Sequence, residues 1–229
     1  MQLTVLDPST PEEDFPALES ALTEPDGLLA VGGCLSETRL ITAYRKGIFP
    51  WYNEGDPILW WSPNPRMVLF PDDLIISTSL GKKLRKKIFE CTIDSAFGDV
   101  IDACADSRRD AGTWISSEIN QAYRQLHRAG IAHSAEAWIN GELVGGLYGV
   151  AIGGVFFGES MFHFVSDASK VAFVHLVNQL KSWDYQLIDC QIYSNHLSSV
   201  GGQEIERTYF TQLLEQYCYA PVHPAAWQH

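Results

Sequence analysis

The segment GGVFFGESMFHF, residues 153–164, sets one carboxylate, Glu159, in a run of Phe, Val and Met. An ionised carboxylate is costly in apolar surroundings unless it is paired, so good strand material that keeps one has a partner for it. A second polar island, Asp189 and Gln191 in LIDCQ, has the two-residue spacing that puts both side chains on one face of a strand. Acids and an amide grouped in register are candidates for a ligand site as well as for a structural role. The third candidate is SLGKKLRKKIF, where Lys82, Lys83, Arg85, Lys86 and Lys87 place five cations in six residues. Such a cluster suits phosphate groups, and its bland alternative is a solvated helix face.

These residues need elements to bring them together. VFFGESMF and YQLIDCQIY read as strands, and DASKVAFVHLVNQLKSW between them carries the helical stripe Phe173, Leu176, Val177 and Leu180. A strand, a helix of about four turns and a second strand form a right-handed crossover with the strands parallel. Alternation places Val155, Phe157, Glu159 and Met161 on one face, and Leu187, Asp189 and Gln191 on one face of the next strand. If the strands are neighbours, Glu159, Asp189 and Gln191 converge on one cleft near the strands' C-terminal ends, where open α/β sheets bind ligands. The competing reading makes the two acids structural, bonded to backbone amides or to Lys170.

The rest of the chain divides near residue 65. Before it lies a Pro-, Gly- and Trp-rich segment with one helix, from Ser36 as N-cap to Lys46, stopped by Gly47. After it the spacing predicts helices over 96–105 and 117–129, the first burying Phe97, Val100, Ile101 and Cys104, the second Ile119, Ala122, Tyr123 and Leu126. Two strands joined by Asn140-Gly141 form a hairpin, and Gly153-Gly154 turns into the next strand. In the basic segment Leu80, Leu84 and Ile88 recur every four residues, with the cations on the other faces of one short helix. The like-charged pairs Lys82/Lys86 and Lys83/Lys87 oppose that helix, with no acid between them.

The 229 residues, 46% hydrophobic, can bury a substantial core. Neither a secretory signal nor a run of about 18 apolar residues is visible, which predicts a cytoplasmic protein with no membrane contact. Five cysteines without a CxxC pair suit reduced thiols, and the seven histidines show no ligand spacing, so no metal is expected. A net charge of −12 repels polyanions as a whole, which sets the basic segment apart. No self-complementary seam stands out, so a monomer is expected, and the tail APVHPAAWQH reads as a loosely held terminus.

The blocks GLLAVGGCLS, AYRKGIFPWY, PILWWSPNPRMVLFP, GTWIS, HSAEAW, ELVGGLYGV, FFGESMF, DASKVA, LIDCQ and HLSSVGGQEI run in order from about residue 27 to 210. The set resembles the leucyl/phenylalanyl-tRNA protein transferases. The resemblance implies an α+β fold: a small N-terminal domain, here 1–64, then a catalytic domain, here 65–229, with a mixed sheet and flanking helices like the N-acetyltransferase superfamily. It implies transfer of Leu, Phe or Met from aminoacyl-tRNA to the N-terminal Arg or Lys of a protein, marking that protein for degradation, with no cofactor. Asp189 and Gln191 match the family's proton-relay pair, and Glu159 the residue that positions the aminoacyl group. Leu147, Phe156, Met161, Phe173, Leu176 and Ile188 match its amino-acid pocket, although each alone also suits an ordinary core. Trp51 and Trp114 are the candidates to stack on the terminal adenosine, while Trp60 and Trp61 suit a domain interface. Cys34 stands where the family usually has Asp at the helix entry, and Ser36 remains available as the cap.

Two other classes compete. An acyl-CoA N-acetyltransferase would place a Gly-rich loop between the strand and the helix for the pyrophosphate, where this chain has HFVSDASKVAF without glycine. A non-catalytic RNA-binding module would use the basic helix and the tryptophans and leave the polar group unexplained.

Overall fold

The computed structural model describes residues 3–107 and 115–228. The N-terminal part forms a four-stranded sheet in the order β1-β2-β4-β3, from β1 (Thr4–Leu6), β2 (Leu28–Gly32), β3 (Phe49–Pro50) and β4 (Leu59–Trp61). Between β2 and β3 lies α1 (Glu37–Arg45). Its start and stop follow local chemistry: Ser36 accepts from the Arg39 amide, and Gly47 takes a φ of 74° that a Cβ would disfavour.

From Arg66 onward the elements are β5 (Arg66–Leu69), α2 (Thr78–Arg85), β6 (Glu90–Ile93), α3 (Phe97–Asp106), α4 (Ser117–Arg128) and β7 (Ala132–Ile139). They continue as β8 (Glu142–Ile152), β9 (Val155–His163), α5 (Ala168–Ser182), β10 (Leu187–Gln191), α6 (Asn195–Ser199), β11 (Gln203–Ile205) and α7 (Arg207–Tyr217). Among the described residues they build a seven-stranded mixed sheet, β11-β5-β10-β9-β8-β7-β6, in which β9 and β10 are the parallel pair. The β7–β8 turn has positive φ at both Asn140 and Gly141, as the primed hairpin turn requires. The chain is thus an α+β protein with a small sheet preceding a larger mixed one.

The large sheet separates two cores. On one side Tyr148, Val150, Phe157 and Phe162 pack with α3, α4 and the small sheet, and Tyr44 of α1 meets Phe157 with ring centroids 5.1 Å apart. On the other, Leu147 and Phe156 pack with Phe173, Leu176 and Leu180 of α5.

Three expectations are corrected by local geometry. In the β8–β9 ladder Tyr148 pairs with Ser160 and Gly149 with Gly158, so Glu159 is the extra residue of a β-bulge. Gly149 is required there, since a Cβ would fall 2.2 Å from the Phe157 carbonyl oxygen. The bulge exchanges the faces of β9, so Phe162 joins Phe157 in the first core while Met161 packs with Phe156 in the second. Met161 therefore does not share the face of Val155 and Phe157. Second, α2 stops at Arg85 and Lys87 turns to φ 51°, which takes Ile88 off the helical stripe and leaves it exposed. The basic segment also has an acidic partner after all, because Lys83 pairs with Asp167 at the start of α5. Third, the tail is held: Trp227 stacks on His133 at 3.8 Å and donates from Nε1 to Tyr185 Oη at 2.7 Å.

Candidate active site

The β9–β10 ladder ends at Phe157–Asp189, although β9 runs on to His163. Beyond that point Glu159 bulges from one strand, and the register of β10 shifts between Asp189 and Gln191, where Gln191 adopts φ 64°. The two irregularities part the strands, and a cavity of about 280 Å³ opens in the fork. It lies at the C-terminal ends of the parallel pair, as the crossover predicted.

Leu147, Phe156, Met161, Phe173 and Ile188 line the cavity with apolar surface. Leu176 does not reach it. It is fully buried in the α5 core, one turn further along the helix than Phe173 and so further from the fork. Glu159, Ser160, Gln191, Ser194 and His196 add polar groups, and Phe49, Pro50 and Trp51 of the small sheet side complete the wall.

Glu159 is the most heavily bonded of these. Tyr44 Oη donates to its Oε1 at 2.8 Å, Gln191 Nε2 donates to the same oxygen at 2.9 Å, and Tyr123 Oη donates to Oε2 at 3.0 Å. Burial pushes its carboxyl up to about 7, with Asp189 adding to the rise; the two tyrosine hydroxyls pull it down insofar as both donate to the ionised carboxylate, and Arg66 pulls it down as well. Burial and the adjacent Glu159 hold both tyrosine hydroxyls well above their ordinary value.

Asp189 does not converge on the cleft. Its carboxylate is fully buried behind the cavity wall and is gripped by Arg66, Nε to Oδ1 at 2.8 Å and Nη2 to Oδ2 at 2.7 Å. Oδ1 also accepts the Gln191 amide at 2.9 Å, the backbone bond that stabilises the left-handed turn at Gln191. The structural alternative had named Lys170 as a partner, but Lys170 pairs with Asp167 at 3.3 Å instead. Arg66 lies between the rings of Phe49 and Phe210, 4.8 Å from each centroid, so a two-sided aromatic slot presents it to Asp189.

Trp51 stands at the cavity mouth, 41% exposed and 5.6 Å from the Trp61 ring, whereas Trp60 is fully buried and donates to the Gly32 carbonyl at 2.8 Å. Trp114 lies outside the described residues. Of the basic residues Lys82, Arg85, Lys86 and Lys87 are exposed, and Lys83 is half-buried in its ion pair with Asp167.

Sequence reasoning missed Arg66, Tyr44 and Tyr123. Tyr123 was visible as a helical stripe residue, and the signal available there was that a buried tyrosine hydroxyl needs a hydrogen-bond partner. Arg66 was visible only as a cation at the head of the apolar run RMVLF.

Comparison with known proteins bears on the family of the chain. Residues 68–215 match the model of the leucyl/phenylalanyl-tRNA protein transferases, and residues 33–64 match the model of that family's N-terminal domain. A leucyl/phenylalanyl-tRNA–protein transferase from Methylococcus capsulatus is 55% identical over 99% of this chain and 97% of its own. One from Nitrosomonas europaea is 58% identical over 93% of this chain and 91% of its own. Among solved structures, a GCN5-related N-acetyltransferase from Kribbella flavida aligns at TM-score 0.39 and 10% identity over 69% of this chain and 56% of that one. The two family models and the near full-length relatives leave one assignment: the chain belongs to the leucyl/phenylalanyl-tRNA protein transferase family.

Proposed function

We propose that the protein moves Leu or Phe, and also Met, from aminoacyl-tRNA to the N-terminal Arg or Lys of an acceptor protein. The observation that carries this reading is the cavity in the β9–β10 fork, with an apolar wall and the Glu159–Gln191 pair beside it. An apolar side chain of the size of Leu, Met or Phe fits the wall formed by Leu147, Phe156, Met161, Phe173 and Ile188, and the reactive ester then lies by the polar group. Trp51 at the mouth stacks on the terminal adenine, and Lys82, Arg85, Lys86 and Lys87 hold phosphates further along the acceptor stem. In this reading residues 1–64 supply the mouth and residues 65–229 the catalytic fork. The protein works as a cytoplasmic monomer, in keeping with its five free cysteines.

The ester is already activated, so alignment supplies most of the gain, worth about 7–11 kcal/mol for well-oriented reactants. The acceptor's α-amino group, with an ordinary pKa of about 8, attacks the ester carbonyl in its neutral form. Gln191 gives Nε2 to Glu159, which leaves its Oε1 end to accept from the attacking nitrogen. As the C–N bond forms and the C–O bond breaks, the proton lost by nitrogen passes to the departing ribose oxygen. Glu159 holds the α-amino group of the donor. Asp189 acts through Arg66 and the Gln191 amide, so it is a positioning residue and not the proton acceptor.

The acetyl-CoA reading fares worse on one specific point. A pyrophosphate would sit at the N-terminus of α5, and there the N-cap is Asp167, an acid already paired with Lys83 and Lys170. Labelled Leu-tRNA or acetyl-CoA, each with a peptide beginning in Arg or in Glu, tests the proposal. Transfer is expected from Leu-tRNA to the Arg peptide. Transfer from acetyl-CoA would overturn the donor assignment, and equal labelling of the Glu peptide would overturn the acceptor assignment.

A further inference from the structure

Tyr44, Tyr123 and Glu159 touch one another pairwise. Tyr44 Oη and Tyr123 Oη are in hydrogen-bond contact, Tyr44 Oη reaches Glu159 Oε1 at 2.8 Å, and Tyr123 Oη reaches Oε2 at 3.0 Å. Each hydroxyl carries one proton and a carboxylate carries none. With Glu159 ionised, both hydroxyls donate to it and the contact between the two phenol oxygens has no proton. If either hydroxyl turns to its neighbour, one carboxylate contact loses its proton instead. Two protons cannot fill three contacts.

One added proton fills all of them. Glu159 Oε2 then donates to Tyr123, Tyr123 donates to Tyr44, and Tyr44 donates back to Oε1, which also accepts Gln191 Nε2 at 2.9 Å. Every oxygen in the ring is satisfied, and rings of this kind strengthen each member bond. We infer that Tyr44 and Tyr123 are positioning residues that close a three-membered hydrogen-bonded ring with Glu159 and hold it as the neutral acid in the free protein.

The surroundings agree. Both tyrosine side chains are buried, Tyr44 against Phe157 at 5.1 Å and Tyr123 edge-on to Tyr148 at 5.6 Å. The charged groups facing Glu159 are Asp189 of β10 and Arg66 of β5, already engaged with each other in a buried pair, while Tyr44 of α1, Tyr123 of α4 and Tyr148 of β8 are neutral hydroxyls. Burial and the Asp189 charge favour the neutral carboxyl, and the Arg66 charge opposes them. The three members come from α1, α4 and β9, so the ring also ties the small sheet's helix to the large sheet at the cavity. How the ring is used rests on the proposed function: Glu159 releases its proton to solvent as pH rises, and the carboxylate so formed holds a cationic amine.

Infrared difference spectra of the free full-length chain, taken across neutral pH, test the ring without any transfer assay. The wild-type protein is expected to show a carboxylic-acid carbonyl band at pH 7 that is lost in Glu159→Gln. In Tyr44→Phe the neutral form loses two ring bonds while the ionised form loses one donor and an unfavourable oxygen–oxygen contact, so the band titrates at lower pH. If that variant does not fold, Tyr123→Phe serves, with the same direction. The acid limb of kcat/KM for Leu transfer follows the same shift. Absence of the band from wild type at pH 7 would overturn the inference. So would a move to higher pH in the Phe variants, which is what simple loss of a carboxylate donor produces. Failed transfer with the band present would count against the proposed function and leave the ring standing.

Discussion

Arg66 and Asp189 form a two-point ion pair, 2.8 Å from Nε to Oδ1 and 2.7 Å from Nη2 to Oδ2, with both side chains sealed from solvent. Bidentate geometry of this kind specifies orientation as well as energy. Here the orientation is passed to Gln191, whose amide donates to the same carboxylate and whose side chain meets Glu159. One buried pair thus sets the backbone of the cavity wall.

Removing one partner leaves an uncompensated buried charge. Asp189→Ala is expected to lower stability by about 3–5 kcal/mol, read as a reduced midpoint in urea unfolding at unchanged slope. The double variant Arg66→Met with Asp189→Leu should regain much of that loss, since apolar replacements of a buried pair are often neutral. Full stability in Asp189→Ala would show that the pair carries little of the wall.

Glu159 makes stability depend on pH in an unusual direction. Its folded pKa of about 7 lies above the ordinary 4.5, so between those values the folded state binds more protons than the unfolded one. The contribution is fully present below pH 4.5 and is lost as pH rises through about 7. Glu159→Gln removes it, so the stability of the variant relative to wild type should climb across this window in chemical unfolding. A flat difference would mean that Glu159 titrates alike in both states.

The exposed cations of the basic segment are separable from the paired one. Changing Lys82, Arg85 and Lys86 together to Ala should weaken tRNA binding and reduce its salt slope by about 0.7–0.9 per lost phosphate contact, measured by titration at several salt concentrations. Lys83→Ala mainly removes a half-exposed ion pair and should change stability by no more than about 1 kcal/mol. An unchanged salt slope in the triple variant would make the segment a solvated face.

Met161→Trp places bulk where Leu147, Phe156 and Phe173 already close the cavity. Overpacking is expected to cost about 1–3 kcal/mol of stability. Leu transfer should fall because the donor side chain no longer enters, while binding of uncharged tRNA stays as it was. Steady-state transfer kinetics beside a filter-binding curve check both halves.

Trp227 anchors the tail through its stack on His133 and its bond to Tyr185. Trp227→Ala should cost about 1–3 kcal/mol, less than a fully buried tryptophan would, and thermal unfolding reads it directly.

Much of the architecture was legible because it is encoded locally. Ser36 and Gly47 mark helix ends, Asn140-Gly141 marks the hairpin, and the stripe on 168–182 with its flanking strands requires the parallel crossover. Those signals placed Glu159 and Gln191 near each other, at the correct end of the sheet.

Glu159, Asp189 and Gln191 were thus recognisable in the sequence as polar residues on two successive strands, because strand alternation acts within a few residues, whereas the six apolar pocket residues came from the resemblance alone and one of them, Leu176, lies outside the cavity. Three decisions were made only by the tertiary structure. The bulge at Glu159 moved Met161 to the other face, since strand alternation counts residues and not the ladder's extra one. Asp189 was withdrawn from the cleft because Arg66, 123 positions earlier, is brought beside it by the β5–β10 ladder. Tyr44 and Tyr123, from α1 and α4, meet Glu159 because the small sheet and the helices pack on one face of the large sheet. A side chain's partner across such distances is set by which surfaces bury each other, and no local pattern records that.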